Sequence, residues 1–248
     1  MGEWGSVDLW LWHDLHLLSS RQVDEYQQPF SASESLRLGR INDQRRKLEY
    51  IGGHHLLRRM LDHLYPNWFS TLYIEHPGEG APFLNGVNPL GIEFNLSHSG
   101  NTVCCAVGTN HRIGLDIESP TRRRPIQEMA DTYFSRSEAQ QLTRLPGSAK
   151  LDYFYRTWTL KESLLKARRS SLSSVNMKVE FRCLANPPIP ISAEGLPWYC
   201  YSFRNGRNYL ALSLSRPLVS PLRLESFNAD LGAGSVTHPP IALYTPRL

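Results

Sequence analysis

The residues best suited to chemistry lie in two short stretches, and the first is Thr157–Lys166. If this stretch is helical, Trp158, Glu162 and Lys166 lie one above another, because side chains four positions apart share a helix face. On its own, the spacing favours a tryptophan that anchors the helix in the core beside an exposed Glu–Lys pair of little energetic weight. A chemical role requires a second charged group that this helix face could meet.

The second stretch is Ile113–Glu118, whose alternating pattern predicts a β-strand. Its apolar residues would point to one side, and Asp116 and Glu118 to the other. With the apolar side packed inward, the two carboxylates would lie side by side on an exposed or cleft face and repel each other. A divalent cation would relieve the repulsion, and ligands that are all oxygen favour Mg²⁺ over zinc. Without further support, a solvated strand edge is the commoner explanation of such a pair.

Together, the two stretches predict a site for phosphoryl chemistry. Glu162 would supply a third oxygen ligand if the helix packs over the strand. Lys166, one turn further on, would then face phosphate groups, and Ser97 and His98 in a turn at a strand end could add hydrogen-bond donors. In such a site the metal and the cations neutralise phosphate oxygens, while a positioned base takes a proton from the nucleophile.

The elements that would position these residues occur twice in the chain. The segment Phe134–Glu138 repeats Phe30–Glu34, and both contain a Ser-x-x-Glu capping box that predicts the start of a helix. Each box is followed by a predicted long helix and then by a pair of strands. In the first half these are a helix at 48–64 and strands at 94–96 and 102–107. In the second half they are a helix at 151–168 and strands at 198–203 and 208–214.

This repeat predicts an α+β fold, a pseudodimer of two similar α/β lobes with the active site in the cleft between them. The N-terminal lobe is predicted at residues 1–112, and the C-terminal lobe, with the metal site, at 113–227. The Gly- and Pro-rich tail, 228–248, is predicted to be loosely ordered. Because the pseudodimer is built into one chain, we expect a monomer.

The composition narrows the classes of protein further. The chain has 248 residues, 41% of them hydrophobic, which is enough for a substantial core. A net charge of +4 suits an acidic partner but is too small to argue for nucleic acid. No apolar run approaches the roughly 18 residues of a membrane span, and the start lacks the pattern of a signal peptide. The four cysteines have no C-x-x-C spacing, which favours reduced cysteines in a cytoplasmic protein.

Three motifs, in this order, resemble those of the 4′-phosphopantetheinyl transferases of the surfactin-type (Sfp-type) class. They are Asn95–Gly100, Ile113–Glu118 and Trp158–Lys166, and Phe134–Glu138 also resembles a segment of the family. The resemblance covers residues 5–215, and the second and third motifs together are quite specific. It implies a pseudodimer of two α/β lobes with coenzyme A and Mg²⁺ between them, in agreement with the repeat.

The resemblance implies a Mg²⁺-dependent enzyme that acts on apo acyl or peptidyl carrier proteins in fatty acid or secondary metabolite biosynthesis. A serine hydroxyl of the carrier attacks the β-phosphate of coenzyme A, the phosphopantetheine arm moves to that serine, and 3′,5′-ADP leaves. The site residues that it implies are the metal ligands Asp116, Glu118 and Glu162, the catalytic residues Glu162 (as base) and Lys166 (on the phosphates), and the coenzyme A contacts Ser97, His98, Lys166 and Arg37.

Three positions depart from the family pattern. Gly80-Ala81-Pro82 stands where Gly-Lys-Pro is common, and Glu49 stands where an arginine commonly precedes the aromatic residue that Tyr50 matches. After Lys166, Arg169–Ser171 replaces the usual Gly-x-Gly. Since the first two changes remove expected positive charge from the coenzyme pocket, we expect altered and weaker coenzyme A binding.

Two other functions stay open at this point. A catalytically impaired relative would bind carrier proteins or coenzyme A without transferring the arm. An unrelated Mg²⁺-dependent nucleotide hydrolase would act without a carrier protein, although the phosphate loop G-x-x-x-x-G-K-[ST] is absent from the sequence.

Overall fold

The structure is a computed structural model of the chain, and it describes residues 6–77, 80–120, 124–170, 178–182, 189–190, 198–218, 222–227 and 236–237. The helices in these residues are α1 (Ser20–Gln27), α2 (Ala32–Gly39), α3 (Gln44–Leu64), α4 (Pro66–Phe69), α5 (Ile126–Tyr133), α6 (Arg136–Arg144) and α7 (Gly147–Arg168). The strands are β1 (Val7–Trp12), β2 (Leu72–Glu75), β3 (Phe83–Gly86), β4 (Ile92–Ser99), β5 (Thr102–Thr109), β6 (Ile113–Glu118), β7 (Phe181–Arg182), β8 (Ile189–Pro190), β9 (Tyr199–Asn205), β10 (Asn208–Leu214), β11 (Arg223–Phe227) and β12 (Val236–Thr237).

These elements form two units. The first contains the described residues up to His111 together with those from Leu218 onward, and the second contains those from Arg112 to Pro217. Helices and mainly antiparallel strands are segregated in both units, so the predicted α+β class is confirmed. No helix in the described ranges has the length and the apolar character that crossing a bilayer requires.

The first unit is organised on a five-stranded sheet in the order β12-β11-β1-β5-β4. Strand β1 lies inside this sheet, antiparallel to β5 and parallel to β11, and all six of its residues are buried. Helix α3 begins at Gln44 because the side chain of Asp43 accepts a hydrogen bond from the backbone of Arg46. Its apolar side packs on the sheet, where the core includes Trp10, Trp12, Leu56, Leu57, Met60, Leu61, Val103 and Cys105.

The second unit contains a three-stranded antiparallel sheet in the order β6-β10-β9. Strands β9 and β10 form the predicted hairpin, and Gly206 in its turn has a φ of +57°, which glycine adopts without steric cost. Helix α7 packs across β6 and β10. Of the strand predicted near 175–183, Phe181–Arg182 is present, and 171–177 and 183–188 lie outside the described residues.

The internal repeat is found in both units. The capping boxes predicted at Ser31 and Ser135 are formed. In each box the glutamate carboxylate also accepts a hydrogen bond from the backbone N–H of the N-cap serine. Each box glutamate is buried and pairs with a cation of the long helix that follows. The pairs are Arg58 Nη2 with Glu34 Oε2 at 2.6 Å and Lys161 Nζ with Glu138 Oε2 at 2.8 Å. The same device therefore joins a short helix to a long one in each half of the chain.

The observed units differ from the predicted lobes at the C-terminal end. The N-terminal segment of the first unit ends at His111, close to the predicted boundary at 112, but β11, which the prediction places in the second lobe, belongs to the first unit. The reason is backbone pairing, because Asp8 to Trp12 pair in parallel with Arg223 to Phe227. A parallel partner so distant in sequence leaves no local pattern. The predicted tail, 228–248, lies outside the described residues except for β12.

The contact between β6 and α7 depends on Gly114. A Cβ atom built on Gly114 would clash with the backbone oxygen of Ser163 and the backbone nitrogen of Ala167. Because these are backbone atoms of a helix, neither can move without displacing α7. The sequence thus places a glycine at a position in β6 where the helix backbone leaves no room for a side chain.

We predict that Gly114→Ala lowers the free energy of unfolding by about 1–3 kcal/mol, or more if the helix cannot shift. Urea unfolding followed by circular dichroism measures the change. The matched control is Gly39→Ala at the end of α2, where an added Cβ meets nothing within 4 Å, so its stability should stay the same or rise. Equal effects of the two substitutions would contradict the close packing at Gly114.

Candidate active site

The two predicted carboxylates of β6 lie beneath helix α7. Gly114, Asp116 and Glu118 share one face of the strand, since alternate residues point the same way, and α7 contacts this face at Gly114. Asp116 and Glu118 are therefore only 6% and 9% exposed. The sequence predicted an exposed or cleft face for them. The structure shows that the helix covers that face, and this cover raises the energetic cost of any unbalanced charge.

Helix α7 brings Glu162 and Lys166 to the same place and is anchored by Trp158, as predicted. Trp158 is buried, and its ring stacks on Phe154 and meets Tyr133 edge-on. Lys166 Nζ lies 2.7 Å from Asp116 Oδ1 and donates a second hydrogen bond to the backbone oxygen of Leu115 at 2.9 Å. The lysine thus ties the C-terminal part of the helix to the strand.

Arg124, which lies between β6 and α5, pairs with Glu118. Its Nη1 and Nη2 atoms donate to Oε1 and Oε2 of Glu118 at 2.8 and 2.9 Å. Sequence reasoning missed this residue, because it is the last of three consecutive arginines and their spacing does not indicate which of them turns toward the strand. The signal that could have found it is the nearness of that run to Glu118 in the sequence.

The carboxyl group of Glu162 has a strongly perturbed pKa. Burial raises it, the neighbouring Asp116 and Glu118 raise it further, and Lys166 and Arg124 offset part of the effect, which leaves a pKa of about 7 against an ordinary 4.5. Three carboxylates are thus close enough to interact, whereas two cations, Lys166 and Arg124, act on Glu162. The site therefore carries surplus negative charge when Glu162 is ionised.

This surplus and the donor atoms suit a divalent metal ion. All three carboxylates offer oxygen, which Mg²⁺ prefers, and a divalent cation would offset the charge that raises the pKa of Glu162. Among the described residues, however, no three Asp, Glu, His or Cys side chains converge closely enough to hold a metal ion as they stand. Lys166 and Arg124 engage oxygens of two of the three carboxylates.

Ser97, His98 and Arg37 belong to the first unit. Ser97 and His98 were predicted in a turn, but β4 continues to Ser99 and pairs with β5, so both lie in the strand. The turn falls at Gly100, whose φ is +65°, because glycine adopts this conformation more easily than the residues before it. Ser97 is buried, and Arg37 is exposed in the last turn of α2.

The unusual Glu49 lies next to His98. Glu49 Oε2 is 2.9 Å from His98 Nδ1, and the carboxylate is buried while the imidazole is half exposed. Arg45, one turn earlier on α3, approaches the same carboxylate at 3.7 Å. The residue that replaces the expected arginine therefore lies beside a predicted coenzyme A contact.

The unusual Arg169 ends helix α7 in the conformation that glycine normally adopts. Its φ is +54°, and its backbone N–H donates a hydrogen bond to the backbone oxygen of Lys166. The backbone N–H of Ser170 donates to the backbone oxygen of Leu165 at 2.9 Å. This ending resembles the common glycine-terminated helix end, at the cost of a left-handed conformation for a residue with a Cβ. Ser171 lies outside the described residues.

Comparison with known proteins identifies the segment that holds this site. Residues 112–211 match the family model described as the 4′-phosphopantetheinyl transferase superfamily. The match runs from β6 through α7 to β10, so it contains the charged residues that these elements bring together: Asp116, Glu118, Glu162 and Lys166.

Named 4′-phosphopantetheinyl transferases are similar to the chain over parts of their length. HetI of Nostoc sp. is 27% identical over 177 residues, which are 71% of this chain and 73% of HetI. The transferase psf-1 of Bacillus pumilus is 30% identical over 62% of this chain and 65% of its own. Sfp of Bacillus subtilis is 41% identical over 81 residues, 32% of this chain and 34% of Sfp. The last two alignments span less than two thirds of the relative.

We predict that Glu162 makes the metal-free protein less stable as the pH rises. Because its pKa of about 7 is above the ordinary 4.5, the folded state binds this proton more tightly than the unfolded state between those values, so stability falls as the pH rises through that window. Allowing for partial exposure, the loss is on the order of 1–2 kcal/mol.

Urea unfolding in EDTA at pH 5.5 and pH 8 measures this difference. Glu162→Gln should reduce the loss of stability between the two pH values, whereas Glu128→Gln, at an exposed position on α5, should leave it as in the wild type. An unchanged loss in Glu162→Gln would show that Glu162 is not the titrating group.

Proposed function

We propose that the chain is a surfactin-type 4′-phosphopantetheinyl transferase that moves the 4′-phosphopantetheine arm of coenzyme A to a serine of an apo acyl or peptidyl carrier protein. The observation that carries this proposal is the meeting of Asp116, Glu118, Glu162 and Lys166 between β6 and α7, in the segment that matches the superfamily. The enzymatic activity of the named relatives supports it.

Glu162 serves as the base in this reaction. The serine hydroxyl of the carrier attacks the β-phosphorus of coenzyme A, its proton passes to the Glu162 carboxylate, and the bond to 3′,5′-ADP breaks as that group leaves. In the metal-free site, burial and the neighbouring carboxylates raise the pKa of Glu162 to about 7. Bound Mg²⁺ would lower this pKa, so the carboxylate would be ionised and able to accept the proton when the metal is present.

The other charged residues act on the phosphates. Asp116, Glu118 and Glu162 would hold Mg²⁺, which supplies positive charge to phosphate oxygens when it is bound. Lys166, at the edge of the site with its side chain 30% exposed, contacts the same phosphates. Ser97, His98 and Arg37 bind the remainder of coenzyme A. The expected low affinity for coenzyme A follows from Ala81 and Glu49.

The carrier protein is the macromolecular partner. Carriers that are acidic around the modified serine would be attracted by the chain's net charge of +4, and the association would weaken as salt screens the charges. We also propose that the protein is a cytoplasmic monomer.

We predict that Asp116→Ala and Glu162→Ala each reduce transfer at least about 100-fold, because each removes a proposed ligand of Mg²⁺ and Glu162 is also the proposed base. The assay incubates the protein with Mg²⁺, coenzyme A and a panel of apo carrier proteins, and mass spectrometry records the added arm. Asp131→Ala is the control, since Asp131 is exposed on α5 and bonds Gln127 of the same helix.

The same assay separates the alternatives. A wild-type protein that binds carriers and coenzyme A but modifies none of the panel would support the impaired binding module instead. Transfer that persists in Glu162→Ala would show that Glu162 is not the base. Hydrolysis of ATP without a carrier would favour the nucleotide hydrolase.

We predict that Arg37→Ala raises the KM for coenzyme A about three- to tenfold and leaves kcat little changed, because a cation that binds substrate and transition state equally affects KM alone. The control is Arg40→Ala, which removes another exposed arginine just beyond α2. Equal changes for both variants would mean that general positive charge, and not a contact at position 37, attracts the coenzyme.

A further inference from the structure

Arg124 forms the most specific ion pair of the candidate site, and the function proposed above does not use it. Its guanidinium engages both oxygens of Glu118, at 2.8 and 2.9 Å. Such forked pairs are stronger and more directional than single contacts. The Glu118 side chain is 11% exposed and that of Arg124 is 32% exposed, so water screens the pair only in part.

The guanidinium is also held from the side of helix α7. It lies over the ring of Tyr155 at 5.9 Å from the ring centroid. Tyr155 stacks on Tyr209 at 5.4 Å, and Tyr209 is the cross-strand neighbour of Glu118. A cation above an aromatic face gains further stabilisation. The loop arginine is therefore fixed by both the helix and the strand that build the site.

The same arrangement occurs at the neighbouring carboxylate, where Lys166 pairs with Asp116 at 2.7 Å. Two side-chain cations thus engage two of the three carboxylates that would hold the metal. A carboxylate that accepts a forked pair gives one lone pair of each oxygen to the guanidinium, and a metal ion held by both oxygens needs the same two lone pairs. The two cations and a metal ion therefore compete for one set of ligands.

We propose that Arg124 is an internal counterion that competes with the divalent metal for Glu118 and is drawn to the phosphate groups of the coenzyme when the metal binds. The proposal rests on the metal site proposed above. Metal alone has to displace the guanidinium from Glu118, whereas phosphate groups offer the guanidinium a new anionic partner. The metal and the coenzyme consequently bind with positive coupling, each raising the affinity for the other.

The test titrates MgCl₂ into the metal-free full-length protein by isothermal calorimetry, with and without coenzyme A. In Arg124→Gln, Mg²⁺ alone should bind about three- to tenfold more tightly than in the wild type, because the competing pair is gone. The gain in Mg²⁺ affinity that coenzyme A gives should shrink in the same variant. Unchanged or weaker Mg²⁺ binding in Arg124→Gln would overturn the proposal, and weaker binding would show that Arg124 orients Glu118 for the metal.

Arg204→Gln is the matched control. Arg204 also lies over a tyrosine of the stacked pair, 4.5 Å from the centroid of Tyr209, and it approaches Asp152 at 3.6 Å. Its loss removes a comparable cation without removing a partner of Glu118. Mg²⁺ affinity in this variant should equal that of the wild type. An equal rise in affinity in both variants would mean that the lower net positive charge causes the effect, and not the loss of the pair with Glu118.

A second variant and a second measurement keep the test decisive if Arg124→Gln folds poorly. Arg124→Lys retains the charge but lacks the fork, so its Mg²⁺ affinity should lie between those of the wild type and Arg124→Gln. Melting temperatures should rise more on addition of Mg²⁺ in Arg124→Gln than in the wild type. Equal rises, including none in either protein, count against the proposal. None of these readouts requires transfer, so a protein without transferase activity could still pass them.

Discussion

The close approach of α7 to β6 at Gly114 is the contact on which the candidate site depends. With no side chain at this position, the helix backbone at Ser163 and Ala167 rests directly on the strand. The neighbouring residues on the same face, Asp116 and Glu118, are consequently buried beneath the helix. A larger residue at 114 would lift the helix and admit water, and the carboxylates would lose their cover.

Burial of these charges sets the electrostatic character of the site. The structure pairs Asp116 with Lys166 and Glu118 with Arg124, while Glu162 bears the remaining charge and its pKa rises to about 7. Burial, and after it the neighbouring carboxylates, cause this rise in the metal-free site. The same surplus of negative charge makes the cluster attractive to a divalent cation.

A buried ion pair appears at an equivalent point in each unit. The capping-box residues Glu34 and Glu138 bind Arg58 and Lys161, which come from the long helices. In the first unit His54 joins at 2.6 Å, and these bonds lower the pKa of Glu34 to about 2 although its burial acts in the opposite direction. Such pairs add little net stability, since desolvation offsets their attraction. We infer that they fix how each short helix docks on the long one.

The sequence by itself determined what depends on local periodicity: the paired capping boxes, the long helices, the alternation that puts Asp116 and Glu118 on one face, and the shared helix face of Glu162 and Lys166. Tertiary structure decided what depends on residues distant in the chain. It placed Arg124 on Glu118, Glu49 beside His98 and β11 next to β1. These contacts join loops, or elements far apart in sequence, and their geometry follows from backbone pairing and burial, which no short-range spacing encodes.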